Sequence, residues 1–171
     1  SLTNPTIMRR SLLVLSMLIV QAGCADDPIS FDFGVEWNQV PWSGGTLNVA
    51  LVPPRNLGSG PHPVILALPW GTGTAELVDG FLRTYWLGEA AARGYYVGSP
   101  EVRGSDLADT AGEVIPALFA WMESALDFDP DRVALAGASN GGRGIFFAAR
   151  AAPERFRALI GLPGSYAGPA G

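Results

Sequence analysis

The sequence predicts an α/β fold: a mostly parallel sheet that starts with an antiparallel hairpin and carries helices on both faces. Three observations predict it. Short apolar runs alternate with stretches of helical periodicity, which is the pattern of successive βαβ units. Residues 35–42 and 46–53 alternate loosely around a Ser-Gly-Gly turn, as the two strands of a hairpin do. Residues 64–69 (VILALP) form a continuous apolar run, which is typical of a strand buried on both faces.

After this strand, helices and strands are expected to alternate to the end of the sequence. The expected elements are a helix at 76–93 ending at Gly94, a strand at 95–99, a helix at 111–126, a strand at 132–138, a helix at 140–152 and a buried strand at 157–162. Pro116 should kink its helix, because proline removes a hydrogen bond from a helix interior. Right-handed crossovers between the strands place the helices on both faces of the sheet.

The composition excludes several classes of function. The chain has 171 residues, of which 48% are hydrophobic, and a net charge of -5. A chain without a basic patch is not expected to bind nucleic acid. No group of His, Cys, Asp and Glu has the spacing of metal ligands, and the turn from Gly71 to Gly73 lacks the third glycine of a dinucleotide fingerprint. We therefore expect neither a metal nor a cofactor.

The first 24 residues have the features of an export signal. Met8, the expected initiator, is followed by two arginines and an apolar run over 11–22 that is too short to span a bilayer. Residues 1–24 are therefore interpreted as upstream read-through plus a signal, 25–34 as a linker, and 35–171 as the folded domain.

Cys24 is the only cysteine of the chain. The segment 20–24 (VQAGC) resembles the processing box of bacterial lipoproteins, although Gln21 stands where that box usually has leucine. The resemblance implies an acylated Cys24, a membrane anchor and a place in the cell envelope. Two alternatives stay open: a signal peptide cut near Ala22 or Ala25, which gives a secreted or periplasmic protein, and an uncleaved membrane anchor.

One motif carries chemistry. Gly137-Ala138-Ser139-Asn140-Gly141 lies between a buried strand and a helix, which is the context of the G-x-S-x-G nucleophile elbow. The elbow is a tight turn that lifts the serine hydroxyl above the sheet, and Gly137 and Gly141 leave room where a Cβ would clash. Ser139 is therefore the candidate nucleophile, and a purely structural Gly-Ser turn is the alternative.

Residues 63–164 resemble the α/β-hydrolase fold. The resemblance lies in PVILALPWGTG, EAAARGYYVGSPEVRG and FDPDRVALAGASNGGRGIFFAARAAPERFRALIGLPG. This part of the chain is similar to secreted esterases such as polyhydroxybutyrate depolymerases, feruloyl esterases and dienelactone-hydrolase-like proteins. It is also similar to the prolyl-oligopeptidase type of catalytic domain. The resemblance implies a serine hydrolase that cleaves a small or polymeric carboxylic ester, with a peptide or thioester also possible, through an acyl-enzyme on Ser139.

The resemblance also assigns an oxyanion hole. One backbone N–H comes from the residue after the nucleophile, Asn140, and one from the loop after the VILALP strand. We assign Thr72 to this second role, with Gly71 as the alternative donor and a simple glycine-rich turn as the other interpretation. Trp70 replaces the usual histidine. We expect Trp70, with Tyr85 and Trp86, to line an acyl or aromatic pocket or, alternatively, to pack in the core.

The rest of the catalytic triad is expected outside this sequence. In this fold the acid and the histidine follow the serine, yet the one histidine of the chain, His62, precedes it. We interpret His62 as a surface loop residue, the domain as lacking its last strands, and the 171-residue fragment as inactive by itself. Without those strands the sheet is expected to expose an apolar edge at 157–162, which invites aggregation. A non-catalytic binding module, or a pseudogene fragment, is the alternative. We also expect Glu101 and Arg103 to form a structural salt bridge rather than to contact substrate.

Overall fold

The structure is a computed structural model that describes residues 34–55, 58 and 60–163. The export signal, Cys24 and nearly all of the linker lie outside the described residues. Within the described part, none of the helices combines the length and the apolar character that a membrane crossing requires.

Six strands form one mixed sheet in the order β1-β2-β4-β3-β5-β6. They are β1 Glu36–Trp42, β2 Gly45–Val52, β3 His62–Leu68, β4 Tyr96–Pro100, β5 Phe128–Ala138 and β6 Ala158–Leu162. The hairpin β1–β2 and the pair β2–β4 are antiparallel, whereas β3 is parallel to β4 and β5, and β6 is parallel to β5. The predicted mixed sheet with an N-terminal hairpin is confirmed.

Helices cover both faces of the sheet. They are α1 Ala75–Phe81, α2 Glu89–Ala92, α3 Leu107–Ala125 and α4 Asn140–Ala151. Because side chains alternate along a strand, Leu66 of β3 packs on the side of α3 and α4, whereas Ala67 packs on the side of α1. Each large apolar side chain that is fully buried in these two layers stabilises the fold by roughly 1.5–3 kcal/mol.

Three elements differ from the prediction by more than two residues. The single helix expected at 76–93 is broken into α1, a π-helical turn at Leu82–Trp86 and the short α2. Glycine has low helix propensity, and Gly88 lies in the break before α2. Helix α3 begins at Leu107, earlier than predicted, and runs through Pro116. Strand β5 begins at Phe128, four residues before the predicted strand at 132–138.

The apolar pattern at 157–162 predicted a buried strand, whereas a sheet without its last strands was expected to expose an apolar edge there, and the structure shows the exposed edge. All five residues of β6 are exposed, and the strand pairs with β5 alone among the described strands. Leu159, Ile160 and Leu162 are 44%, 38% and 49% exposed. An apolar pattern shows which surroundings suit a strand, whereas burial requires neighbours beside the strand and on both of its faces. Among the described elements β5 pairs with β6 and α4 contacts it, and these two leave all five residues exposed.

Candidate active site

The turn that carries Ser139 has a strained backbone. Strand β5 ends at Ala138 and helix α4 begins at Asn140, so Ser139 is the sole junction residue. Its φ of 53° and ψ of -111° place it in a region that non-glycine residues rarely adopt. It is the only described non-glycine residue with a positive φ. Its side chain is exposed, so the turn directs a hydroxyl group outward at the carboxyl edge of the sheet.

Glycines allow this turn to pack against its neighbours. A Cβ on Gly137 would overlap the carbonyl oxygen of Gly141, and a Cβ on Gly141 would overlap the carbonyl oxygens of Leu68 and Pro69. The start of α4 is thus pressed against the end of β3. Both glycines were predicted to leave room for the turn, and their surroundings explain why no side chain fits.

A third glycine of this kind was missed in the sequence. A Cβ on Gly104 would overlap the carbonyl oxygen of Asn140, and Gly104 also lies against Gly144 in α4. The loop after β4 therefore packs directly on the nucleophile turn. Gly104 lies in the segment between the predicted strand at 95–99 and the predicted helix at 111–126, but the residues it contacts are far away along the chain, beyond the reach of local sequence patterns.

The loop after β3 is tied to Asn140. Gly71 and Gly73 have φ values of 67° and 63°, which glycine adopts without strain. The side-chain Nδ2 of Asn140 donates a hydrogen bond to the Gly71 carbonyl oxygen at 2.7 Å. In a trans peptide this carbonyl and the N–H of Thr72 belong to one rigid plane. Asn140 therefore fixes the orientation of the peptide unit that includes the predicted Thr72 donor.

Two nearby backbone amides differ in availability. The Ser139 N–H donates to the carbonyl oxygen of Pro163 at 2.8 Å and to that of Leu162 at 3.3 Å, so it is occupied. Asn140 is the first residue of α4, and the first amides of a helix have no partner within the helix. The positive end of the helix dipole adds to their attraction for an anion. This geometry is compatible with Asn140 as an oxyanion donor; the roles of Asn140, Thr72 and Gly71 stay predictions.

An aromatic cavity of about 650 Å³ opens beside Ser139. Its lining residues are Trp70, Phe81, Tyr85, Trp86, Ala138, Ser139, Leu162 and Pro163. Trp70 makes edge-to-face contacts with Phe81 and Tyr85, with ring centroids 5.5 and 6.0 Å apart. Trp70, predicted to line a pocket, is thus found at one, and the π-helical turn supplies two further rings.

The chain is similar in structure to several solved hydrolases and peptidases. Neither a protein-family model nor a curated protein matches the chain. A 2,6-dihydroxy-pseudo-oxynicotine hydrolase superposes with a TM-score of 0.55 and 19% identity, over 71% of this chain and 34% of that one. A Mycobacterium tuberculosis puromycin-hydrolyzing peptidase gives a TM-score of 0.56 and 20% identity, over 73% and 22%. Oligopeptidase B from Leishmania major gives 0.54 and 19%, over 73% and 19%.

These neighbours share one architecture. The chain has the α/β-hydrolase fold. It spans only 34% of the first neighbour and 22% of the second. Ser139 lies at the strand-to-helix junction at the carboxyl edge of this sheet, and its role as the nucleophile stays a prediction.

His62 is not the surface loop residue that was predicted. It is the first residue of β3, it is buried, and its Nδ1 lies 3.1 Å from the Gly94 carbonyl oxygen. Because a carbonyl oxygen only accepts, Nδ1 carries the proton in this contact. The far end of β3, at Leu68, is the end that meets Gly141. Six residue steps along a strand separate the two ends by about 20 Å, so His62 does not reach Ser139 in this hydrolase fold.

The predicted salt bridge between Glu101 and Arg103 is wrong. None of the ion pairs among the described residues joins them. Instead the Glu101 carboxylate accepts hydrogen bonds from Asn48 Nδ2 at 2.9 Å and from the Ala75 N–H at 3.3 Å. Glu101 thereby binds the first amide of α1 and links β2 to the helix that carries part of the aromatic cavity.

Over the described ranges, no three residues of the His, Cys, Asp and Glu types are grouped so that they could hold an ion.

Proposed function

We propose that the protein is a serine hydrolase that cleaves a carboxylic ester through an acyl-enzyme on Ser139. One observation carries the proposal: an exposed serine with a strained backbone, φ 53°, lies between a buried strand and a helix at the mouth of a cavity. Strain of this kind costs of order 1–3 kcal/mol and concentrates at functional sites. Peptides and thioesters react by the same steps, and the ester is the leading substrate.

The reaction follows from the groups around Ser139. The Ser139 Oγ attacks the ester carbonyl carbon, and its proton passes to a general base. The Asn140 and Thr72 amides, with Gly71 as the alternative to Thr72, stabilise the oxyanion. The base returns the proton to the departing alcohol, which leaves an acyl-enzyme. A water molecule then attacks, and the acid is released as Ser139 regains its proton.

The base in this proposal is a histidine outside the 171 residues. His62 is the one histidine of the chain, and it lies at the amino end of β3. The proposed whole enzyme is longer, in keeping with neighbours of which this chain spans 34% or less. The chain alone would have at most the weak residual catalysis that binding and an oxyanion hole provide.

The cellular site is part of the proposal. We propose that the protein is exported and anchored at Cys24, with release into the periplasm or medium as the alternative. Stable anchoring requires more than one lipid chain, so a mature protein with a diacylglyceryl group and an N-acyl group should remain with membranes. Cys24→Ser should release the protein, and a wild-type protein that carries no lipid by intact-mass measurement would contradict the anchor.

The decisive experiment is labelling of the full-length protein with a fluorophosphonate probe. Wild type should be labelled, and Ser139→Ala should not, because the probe bonds covalently to an activated serine. Ser43→Ala is the matched control, since Ser43 is another exposed serine in a turn, and it should label like wild type. Labelling that persists in Ser139→Ala would overturn the assignment.

A second candidate function is a non-catalytic binding module on the hydrolase scaffold. The observation that favours it is the position of His62, about 20 Å along β3 from the end that meets the nucleophile turn. A full-length protein that binds aromatic esters without labelling or turnover would support this candidate against the enzyme.

A further inference from the structure

We infer that the aromatic cavity beside Ser139 is an acyl pocket that selects an uncharged, flat acyl group such as an aromatic ring. The inference rests on the proposed function, because it assigns the part of the substrate that the serine would hold. Beyond the proposed function, the inference names the chemical class of the acyl group.

The lining of the cavity defines the chemistry of its occupant. Its lining residues include four aromatic side chains and no charged side chain. A charged acyl group would lose its hydration without a partner, whereas an apolar ring gains from contact. A volume of about 650 Å³ lies within the range of about 300–1,000 Å³ that is common for small-molecule sites.

The arrangement of the rings favours a flat group over a flexible chain. Trp70 stands edge-on to Phe81 and Tyr85, with interplanar angles of 83° and 84°. Aromatic pairs gain stability beyond the area they bury, so a flat ring in contact with these side chains should gain more than an aliphatic chain of similar size. Trp70 and Tyr85 are 36% and 59% exposed, so a ligand ring would cover apolar surface that is now in contact with water.

The wall is held in place by the fold. Phe81 is only 2% exposed and is the last residue of α1. The π-helical turn then carries Tyr85 and Trp86 to the cavity, and π-helical turns are frequent at functional sites. Arg83, the charged residue of this turn, binds Asp79 at 2.7 Å. The rings are therefore presented as a preformed surface.

Covalent chemistry favours the acyl side of the ester. The cavity includes Ser139 itself, together with Ala138 from the same turn. The acyl group stays bonded to the Ser139 Oγ until deacylation, whereas the alcohol leaves after the first step. The acyl group is therefore the only part of the substrate through which the pocket can stabilise the transition states of both acylation and deacylation.

The test compares acyl groups on a common leaving group in the full-length protein. The probes are the 4-nitrophenyl esters of phenylacetic, hexanoic and acetic acid, each corrected for its rate of alkaline hydrolysis. We expect kcat/KM for phenylacetate to exceed that for hexanoate by about tenfold, the factor that corresponds to 1.4 kcal/mol. A second pair, 2-naphthyl acetate and ethyl acetate, varies the alcohol and should show no comparable aromatic preference after the same correction.

Substitutions link the preference to the cavity. Tyr85→Ala should lower the ratio of phenylacetate to hexanoate kcat/KM about tenfold, because it removes one exposed wall. Trp37→Ala is the control: Trp37 is 42% exposed on β1, and it should leave the ratio and the rate unchanged. An unchanged ratio in Tyr85→Ala would overturn the inference, and so would a higher kcat/KM for hexanoate than for phenylacetate. A preference for the aromatic alcohol would also overturn it, as would a preference for a 4-nitrophenyl ester whose acyl group carries a trimethylammonium charge. Failure of every ester and of fluorophosphonate labelling would instead reject the proposed function.

Discussion

The two ends of the central strands are held together in opposite ways. At the carboxyl ends of β3 and β5, backbone packs on backbone, and Gly137 and Gly141 leave no room for a Cβ. At the amino ends, long polar side chains make the contacts: Arg132 donates to the Pro61 carbonyl oxygen at 2.7 Å and to the Asp129 carboxylate at 2.6 Å. Arg157 also binds the Asp131 carboxylate there.

The difference shows what each end is suited for. Close backbone packing holds the Ser139 backbone in its unfavourable conformation, as a strained site requires. Exposed ion pairs contribute little each, about 0–1 kcal/mol, and their flexible side chains can adjust to substitution. The end with the candidate chemistry should therefore be intolerant of change, and the polar end tolerant.

The largest expected effect is that of Gly141→Ala. The new Cβ would meet only backbone atoms of Leu68 and Pro69, so the strand and helix must separate, at a cost of about 3 kcal/mol. Gly112→Ala in α3 is the matched control: no atom lies within 4 Å of its added Cβ, and it should gain about 0.5–1 kcal/mol. Urea unfolding of both variants measures this; a loss below 1 kcal/mol in Gly141→Ala would show that the turn is not tightly packed.

Ser139→Gly should stabilise the fold while removing the nucleophile. Relief of the backbone strain at φ 53° is worth about 1–3 kcal/mol. The greater freedom of glycine in the unfolded chain offsets about 0.4–1 kcal/mol of this, which leaves a net gain near 1 kcal/mol. Ser139→Ala keeps the Cβ and should show no such gain. If thermal melts show equal stability for the two variants, the strain is not present in solution.

Asn140→Ala should affect activity more than stability. The lost hydrogen bond to Gly71 is worth about 0.5–1.5 kcal/mol, and the freed loop should lower kcat of the full-length enzyme by about tenfold, well short of the loss when an oxyanion donor itself is removed. Asn140→Asp keeps the size of the side chain but places a carboxylate against the Gly71 carbonyl, so it should be worse than alanine. Steady-state kinetics with a model ester measure the effect. An Asn140→Asp variant as active as wild type would show that the Asn140 side chain does not position the loop.

Substitution of the polar contacts at the amino ends of the strands should chiefly change how Tm depends on pH in the acid range. The hydrogen bond from Arg132, followed by that from the Asp131 N–H, lowers the pKa of Asp129 below its ordinary value of 3.8. Since the folded pKa is the lower one, the carboxylate stabilises the fold above the unfolded pKa, and this contribution is lost as the pH falls through the folded pKa. The difference in Tm between wild type and Asp129→Asn should be constant near pH 6 and shrink below pH 3.8.

The same pair provides its own control. In an Arg132→Gln background the main cause of the lowered pKa is absent, so Asp129→Asn should change the acid dependence of Tm much less. An undiminished effect in that background would assign the acid dependence to the Asp131 amide or to another group.

Much of the fold was predictable from local patterns. The apolar run at 64–69 and the strand at 132–138 correspond to β3 and β5, and α4 begins at Asn140 as expected. The break of the helix at 76–93 into α1, a π-helical turn and α2 was not predicted. Helical periodicity in a sequence does not distinguish a regular helix from one that is widened by a residue, because both keep apolar residues on one side.

The candidate site was predictable only in part. Ser139, Gly137 and Gly141 could be named because one short motif holds them. The packing of Gly104 on α4 and the bond between Asn140 and Gly71 could not, since each joins residues that are far apart in the sequence. His62 was misjudged because its glycine- and proline-rich neighbours resemble a loop, whereas its burial depends on Gly94 and Tyr96.

The sequence by itself determined the class of fold, the order of strands and helices along the chain, and the serine at a strand-to-helix turn. These follow from periodicity and turn chemistry, which act between residues close together in the chain. Only the tertiary structure decided which backbones touch around Ser139, and that Trp70 from the loop after β3 meets the three rings of residues 81–86 around one cavity. Contacts between distant segments depend on how the sheet brings them together, and no local pattern encodes that.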